Sequence, residues 1–216
     1  MVTSLVIVQI VGTLIWLNNH SMSSKRTMSW QALFDFVRHA PCPSVQPLVH
    51  PPSWIHWQPP PAPFFKVNFD GKLFRNSKEA GLGVGIRDYR GRVQAFLPKK
   101  VILPPSSIDV EALAAVQAIL FAQDLGHYSI ILEGDSKVVI NSLKSEDESL
   151  ASFDHLLDFV QPTIDAFSSI SFSHTCRLDN YVVHNLAQHA RQVNGLLVWI
   201  KDVPFHLFVV LLANND

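Results

Sequence analysis

The 216-residue sequence predicts an α/β fold, on three observations. Apolar residues alternate with polar or glycine residues in three runs between Lys66 and Leu97, the period-two signature of strands. Helix-like and strand-like segments then follow in the order helix, strand, helices, strand, helix up to about residue 192. A hydrophobic content of 48% suffices for one real core, while the length is small for two full-sized domains. Five strands and their helices around a single core are therefore expected.

Residues 1–40 read as a helical segment. An apolar run from Leu5 to Leu17 is followed by a polar break, then by Trp30, Leu33, Phe34 and Val37 at helical spacing. The run is shorter than the roughly 20 residues of a membrane-spanning helix. No basic residue precedes it and no small-residue cleavage signature follows, so a buried helix is expected rather than a signal peptide or anchor. Prolines gather from Pro41 to Pro63, with Trp54 and Trp57 among them, and their fixed φ makes residues 41–63 an extended spacer. The alternative for this stretch is a partner-docking segment built on exposed tryptophans.

The domain proper is expected over residues 64–192. Its first strand, Lys66-Val67-Asn68-Phe69-Asp70-Gly71, puts Val67 and Phe69 on one face and delivers Asp70 at its end. A carboxylate there is costly to bury unless it is paired or holds a metal, which makes Asp70 a functional candidate. Alternating glycines in Gly81-Leu82-Gly83-Val84-Gly85 suit a strand approached closely by another backbone or by a ligand. Asp88 and Gly91 occupy the first and fourth positions of a type I turn, and Val93, Ala95 and Leu97 complete a hairpin.

Ser106, with Asp109 three residues on, caps the next helix, which runs to about Asp124 before Gly126. Ala115, Ala118 and Ile119 follow Glu111 at helical spacing, so this acid lies on an apolar, small-residue face. Asp135 follows the strand Ser129–Leu132, where it either serves a site or merely caps the helix beginning near Lys137. Residues 153–167 form a helix, Ile170–His174 a last strand and Asn180–Gln192 a closing helix. The closing residues 193–216 form an apolar tail, with its apolar runs after Gly195, and read as a docking tail. Net charge is -1, which excludes a general basic field for nucleic acid. Cys42 and Cys176 lack C-x-x-C spacing, which argues against a disulfide framework or zinc site and suits a reducing nuclear or cytoplasmic compartment.

The ordered set of fragments resembles the RNase H-like fold, and most closely the plant branch of retroelement-derived RNase H-like domains. The matching stretches are Lys66–Gly71, Gly81–Asp88, Glu111–Ala114, Glu133–Ser136 and His174-x-x-Arg177-x-x-Asn180-x-x-x-His184-x-Leu186-Ala187. The resemblance implies a mixed sheet of three antiparallel strands followed by two parallel ones, flanked by helices. It also implies cleavage of the RNA strand of RNA/DNA hybrids by four acids and two divalent metals, normally Mg²⁺ or else Mn²⁺. Asp70, Glu111 and Asp135 match the first three acids. Hard carboxylate oxygens suit such ions, and three converging carboxylates need them.

His184 stands where the fourth acid belongs, and is either a surface histidine or a weaker, Mn²⁺-favouring ligand. His174 falls on the family's loop histidine and is otherwise a structural strand-end residue. Asn180 matches the substrate-contacting asparagine, or else is the N-cap of the closing helix. Gly71 and Ser136 are carried over as further substrate contacts. Between Lys144 and Asp165 no basic patch occurs where some members carry a cationic handle, so weak, salt-sensitive substrate capture is expected. A monomer acting on nucleic acid without a membrane is the resulting expectation. A catalytically weak, nucleic-acid-binding remnant is the alternative.

Overall fold

A computed structural model describes residues 57–144 and 153–203, together with Leu207 and Leu211. The expected helices of residues 1–40 and most of the spacer, Trp54 included, lie outside the described residues. Six strands form one sheet: β1 (Phe65–Phe74), β2 (Glu79–Arg87), β3 (Val93–Ile102), β4 (Ser129–Gly134), β5 (Ser169–His174) and β6 (Trp199–Ile200). The helices are α1 (Ser107–Asp124), α2 (Lys137–Lys144), α3 (Asp154–Asp165) and α4 (Tyr181–His189), the last continued by a 3₁₀ turn, Ala190–Gln192. The spatial order of strands is β5-β4-β1-β2-β3-β6. β1, β2 and β3 are antiparallel, β4 lies parallel to β1, and β5 lies parallel to β4.

The five-strand expectation needs correcting. The sixth strand is two residues of the apolar tail paired with Ala95 and Phe96, too short for any alternation to announce it. Further along the tail, Leu207 and Leu211 are buried with Phe96 and with Val182, Val183 and Leu186 of α4. This second apolar cluster sits on the α4 side of the sheet. The main core lies on the other side, where Val67, Phe69, Leu82, Val84 and Ile86 meet α1.

Local chemistry accounts for the element ends. Ser106 accepts from the Asp109 N–H, and the Asp109 carboxylate accepts from the Ser106 N–H, the reciprocal box expected at the start of α1. At the other end Gly126 takes φ +75°, and the His127 N–H reaches back to the Ala122 carbonyl. In the β2–β3 hairpin the Gly91 N–H donates to the Asp88 carbonyl. The Asp88 side chain meanwhile accepts from the N–H groups of Arg90 and Arg92 and from the Arg92 guanidinium. Burial alone would raise the Asp88 carboxyl, but those Arg92 and Arg90 contacts hold it below the usual range.

The glycine stripe of β2 is explained by a backbone rather than a ligand. A Cβ on Gly83 would stand 2.3 Å from the Val183 carbonyl oxygen and 2.5 Å from the Ala187 nitrogen; one on Gly81 would stand 2.1 Å from the Ala187 oxygen. α4 therefore lies directly on the stripe, at a distance no side chain permits. Gly71 plays the same part on the opposite face, where a Cβ would meet Val110 of α1 at 2.6 Å.

Trp57 departs from expectation. It is 5% exposed, with its ring under the Arg87 guanidinium at 3.3 Å and its indole N–H donating to Asn68. The chain packs onto the sheet from this residue on, so Trp57 offers no exposed docking surface. Lys66 joins the same layer, bonding the Gln58 carbonyl at 2.7 Å and the Glu133 carboxylate at 3.1 Å. Burial pushes the Arg87 guanidinium down to about 9, against the opposing pull of Glu133.

Two stability outcomes follow. Gly83→Ala forces α4 off the sheet and is expected to cost about 3 kcal/mol in urea denaturation. An unchanged midpoint would show that the helix gives way freely. Trp57→Ala removes a buried ring and strands the Asn68 oxygen, for a loss of about 3 to 5 kcal/mol. A chain begun at residue 64 should show the same loss, and a wild-type midpoint in both proteins would place Trp57 outside the cooperative unit.

Candidate metal centre

The site forms where one strand outruns its neighbour. The parallel pairing of β1 with β4 ends at Phe69 and Gly134, while β1 continues to Phe74 with β2 alone. Asp70 is the first residue beyond that end. It stands in mid-strand opposite Gly83 rather than at a strand terminus, because Gly71 continues the strand instead of ending it. Asp135 follows Gly134 directly, at the carboxyl end of β4, where open α/β sheets present ligand sites. Gly71 lets α1 close in, which brings Glu111 over the same point.

Asp70, Glu111 and Asp135 each bring one carboxylate oxygen to within 4.8 Å of the others. Asp70 is 3% exposed, and the other two are half-buried. Oε2 of Glu111 is buried without a hydrogen-bond partner, while the Gly71 N–H bonds the same carboxylate. Burial, reinforced by the charges of Asp70 and Asp135, pushes the Glu111 carboxyl up to about 9. Asp135 is raised by burial and by Asp70, against the opposing charges of Arg177 and His184. Three acids that repel one another, with an orphaned oxygen among them, are the donor set of a hard divalent cation. The residues present fit such an ion.

His184, expected in the place of the fourth ligand, lies directly beside the first acid. Among the described residues the convergent group holds the three carboxylates alone, and the His184 Nδ1 lies 2.8 Å from Oδ2 of Asp70. The two side chains share one short hydrogen bond between helix and strand. Nδ1 is engaged with Asp70, and the second ring nitrogen, Nε2, has no part in that contact.

Asn180 takes the N-cap position that one of its two readings expected, but spends its side chain elsewhere. It stands at the N-cap position of α4 without a side-chain capping bond, and it is 1% exposed. Its amide donates to the Phe69 carbonyl at 2.7 Å and accepts from Asn68, which in turn bonds Glu133. Asn180 thus ties α4 to the residue before Asp70. Asn68 and Asn180 are 112 residues apart in sequence, and only the fold makes them neighbours.

Gly71 is used in packing α1. Ser136 is half-buried beside an open cleft that it lines with Ser107, Ile108, Glu111 and Asp135, on the approach to the carboxylates. His174 is exposed at the end of β5, paired in register with Gly134, and stays outside the cluster. Arg177, to which sequence reasoning assigned no role, supplies positive charge to both Glu111 and Asp135.

Residues 68–190 match the reverse transcriptase-like family. No curated protein matches the chain in sequence. Among solved structures it is similar to RNase H1 from the halophilic archaeon Halobacterium salinarum, at 22% identity and a TM-score of 0.55, covering 59% of this chain and 97% of that one. It is similar also to the N-terminal RNase H domain of a Mycobacterium tuberculosis protein, solved as a maltose-binding-protein fusion, at 19% identity and a TM-score of 0.53, covering 59% and 93%. A third, LC11-RNase H1 in complex with an RNA/DNA hybrid, has 16% identity and a TM-score of 0.52, covering 58% and 94%. With the family match running through more than half of its length and this sheet around it, the chain belongs to the reverse transcriptase-like family and carries an RNase H-like domain.

Proposed function

We propose that the protein is a divalent-metal-dependent endoribonuclease acting on the RNA strand of RNA/DNA hybrids. The observation that carries this reading is the convergence of Asp70, Glu111 and Asp135 within 4.8 Å, with one Glu111 oxygen unsatisfied, on an RNase H-like sheet. The complex of LC11-RNase H1 with such a hybrid supports the substrate class. Asp70, Glu111 and Asp135 would hold Mg²⁺ or Mn²⁺, which supplies Lewis-acid activation of water and charge stabilisation for phosphodiester hydrolysis.

The rest belongs to the chain itself. The Gly71 N–H orients Glu111, and the buried Asn180 fixes the backbone before Asp70. His184 holds Oδ2 of Asp70, while Arg177 balances the site's negative charge. Hybrid recognition rests on groove shape and 2′-hydroxyl contacts, with little base preference. The domain is proposed to act as a monomer inside the cell, in nucleus or cytoplasm, with 64–192 as its catalytic unit.

One observation favours a second reading, a nucleic-acid-binding domain that cuts little. The Nδ1 of His184 occupies an oxygen of Asp70 where a fourth carboxylate would add negative charge. Cleavage of a labelled hybrid at low salt separates the two. Metal-dependent cutting abolished by Asp70→Asn supports the nuclease, and His184→Asp should then raise the rate about tenfold or more. No cutting by the wild type, with activity gained in His184→Asp, supports the second reading. Silence from both proteins removes the catalytic proposal.

The raised Glu111 carboxyl sets a pH dependence. Its folded value of about 9 stands above the ordinary 4.5, so without metal the fold binds the extra proton and loses stability as pH rises between those values. A divalent ion must displace that proton, so its stabilising effect grows over the same window. The rise in melting temperature on adding Mg²⁺ should be larger at about pH 9 than at about pH 6, and Glu111→Gln should flatten the metal-free stability profile. Equal shifts at both pH values would show that Glu111 is outside the cation's reach.

A further inference from the structure

We infer that an open cationic cleft lined by Lys72, Arg75 and Arg191 takes the phosphate backbone of the bound nucleic acid beyond the carboxylate cluster, an inference that rests on the nucleic-acid reading above. The cleft is also lined by Phe74 and Gln188. β1 and α4 lead to it side by side. Asp70 pairs with Gly83 and Lys72 with Gly81; Gly83 lies against Val183 and Ala187, and Gly81 against Ala187 and Ala190. α4 therefore runs in the same direction as β1, from His184 beside Asp70 to Gln188 and Arg191 beside Lys72 and Phe74. Lys72 shares the face of Asp70 and stands two residues further, about 7 Å along the strand.

The charge at this end is uncompensated. The ion pairs of the described residues join Lys66 to Glu133, Arg92 to Asp88, Lys100 to Glu79 and His184 to Asp70, leaving Lys72, Arg75 and Arg191 without a carboxylate. No acid lines the cleft. Arg75 and Arg191 are exposed and offer guanidinium forks, which match phosphate oxygens; the Arg191 guanidinium lies 5.8 Å from the Phe74 ring centre. In a protein of net charge -1 whose cleavage site is itself a cluster of acids, a polyanion needs cations placed beside that cluster, and this furrow supplies them. A basic handle after Lys144 is then unnecessary.

The test measures binding of a fluorescein-labelled RNA/DNA hybrid to the full chain carrying Asp70→Asn, in Mg²⁺, across a salt series. Adding Lys72→Ala, Arg75→Ala and Arg191→Ala should weaken binding about 10- to 100-fold at low salt and reduce the slope of log affinity against log salt by about 2 to 3. A control that removes equal charge elsewhere, Arg90→Ala with Lys99→Ala and Lys144→Ala, should leave the slope unchanged. Melting temperatures of both triple variants verify folding. An unchanged slope in the cleft variant, or an equal fall in the control, overturns the cleft while the hybrid reading stands. Failure of the Asp70→Asn protein itself to bind hybrid at low salt overturns both.

Discussion

The close seating of α4 on a side-chain-free stripe is the constraint on which the rest of the structure depends. Gly81 and Gly83 leave no room for a Cβ between β2 and the backbone of α4, so the helix sits at the one depth where His184 reaches Asp70. Gly71 imposes the same condition on α1 from the other face and carries Glu111 with it. Two helices are thus pressed onto opposite sides of the same two strands, and Glu111 of α1 and His184 of α4 meet Asp70 where β4 stops. Packing, rather than any property of the acids, selects the meeting point.

Electrostatics opposes that arrangement. The carboxylates of Asp70, Glu111 and Asp135 are partly stripped of water and repel one another, which a fold tolerates only when other interactions over-determine the geometry. The buried polar layer beneath the site provides this. Trp57, Lys66, Asn68, Glu133 and Asn180 satisfy one another across β1, β4 and the start of α4, and fix the backbone on either side of the first acid. Because such a network is costly when only partly satisfied, it holds one register and one helix position.

The cationic furrow complements this centre. Carboxylates lie at one end of this pair of elements and cations without a carboxylate partner at the other, because β1 and α4 run in the same direction. Parallel travel of strand and helix carries two separate spacings, Asp70 to Lys72 and His184 to Arg191, toward the same cleft.

Sequence alone determined the α/β class, the hairpin at Asp88 and Gly91 and the capping box at Ser106, because each is set by spacing within a few residues of chain, whereas the three acids were grouped only by the resemblance of the ordered fragments. It also placed glycines where something had to come close. Only the tertiary structure decided what that something was, because contacts such as Gly83 with Val183 span about a hundred residues and leave no local pattern. The same holds for Asn180, which has the sequence look of a cap and serves as a buried bridge to Phe69, and for His184, whose commitment to Asp70 follows from the depth of its helix. Trp57 and β6 were missed for a related reason. A tryptophan among prolines and a two-residue strand carry no periodicity, and their places are set by the pockets and edges that the completed sheet presents.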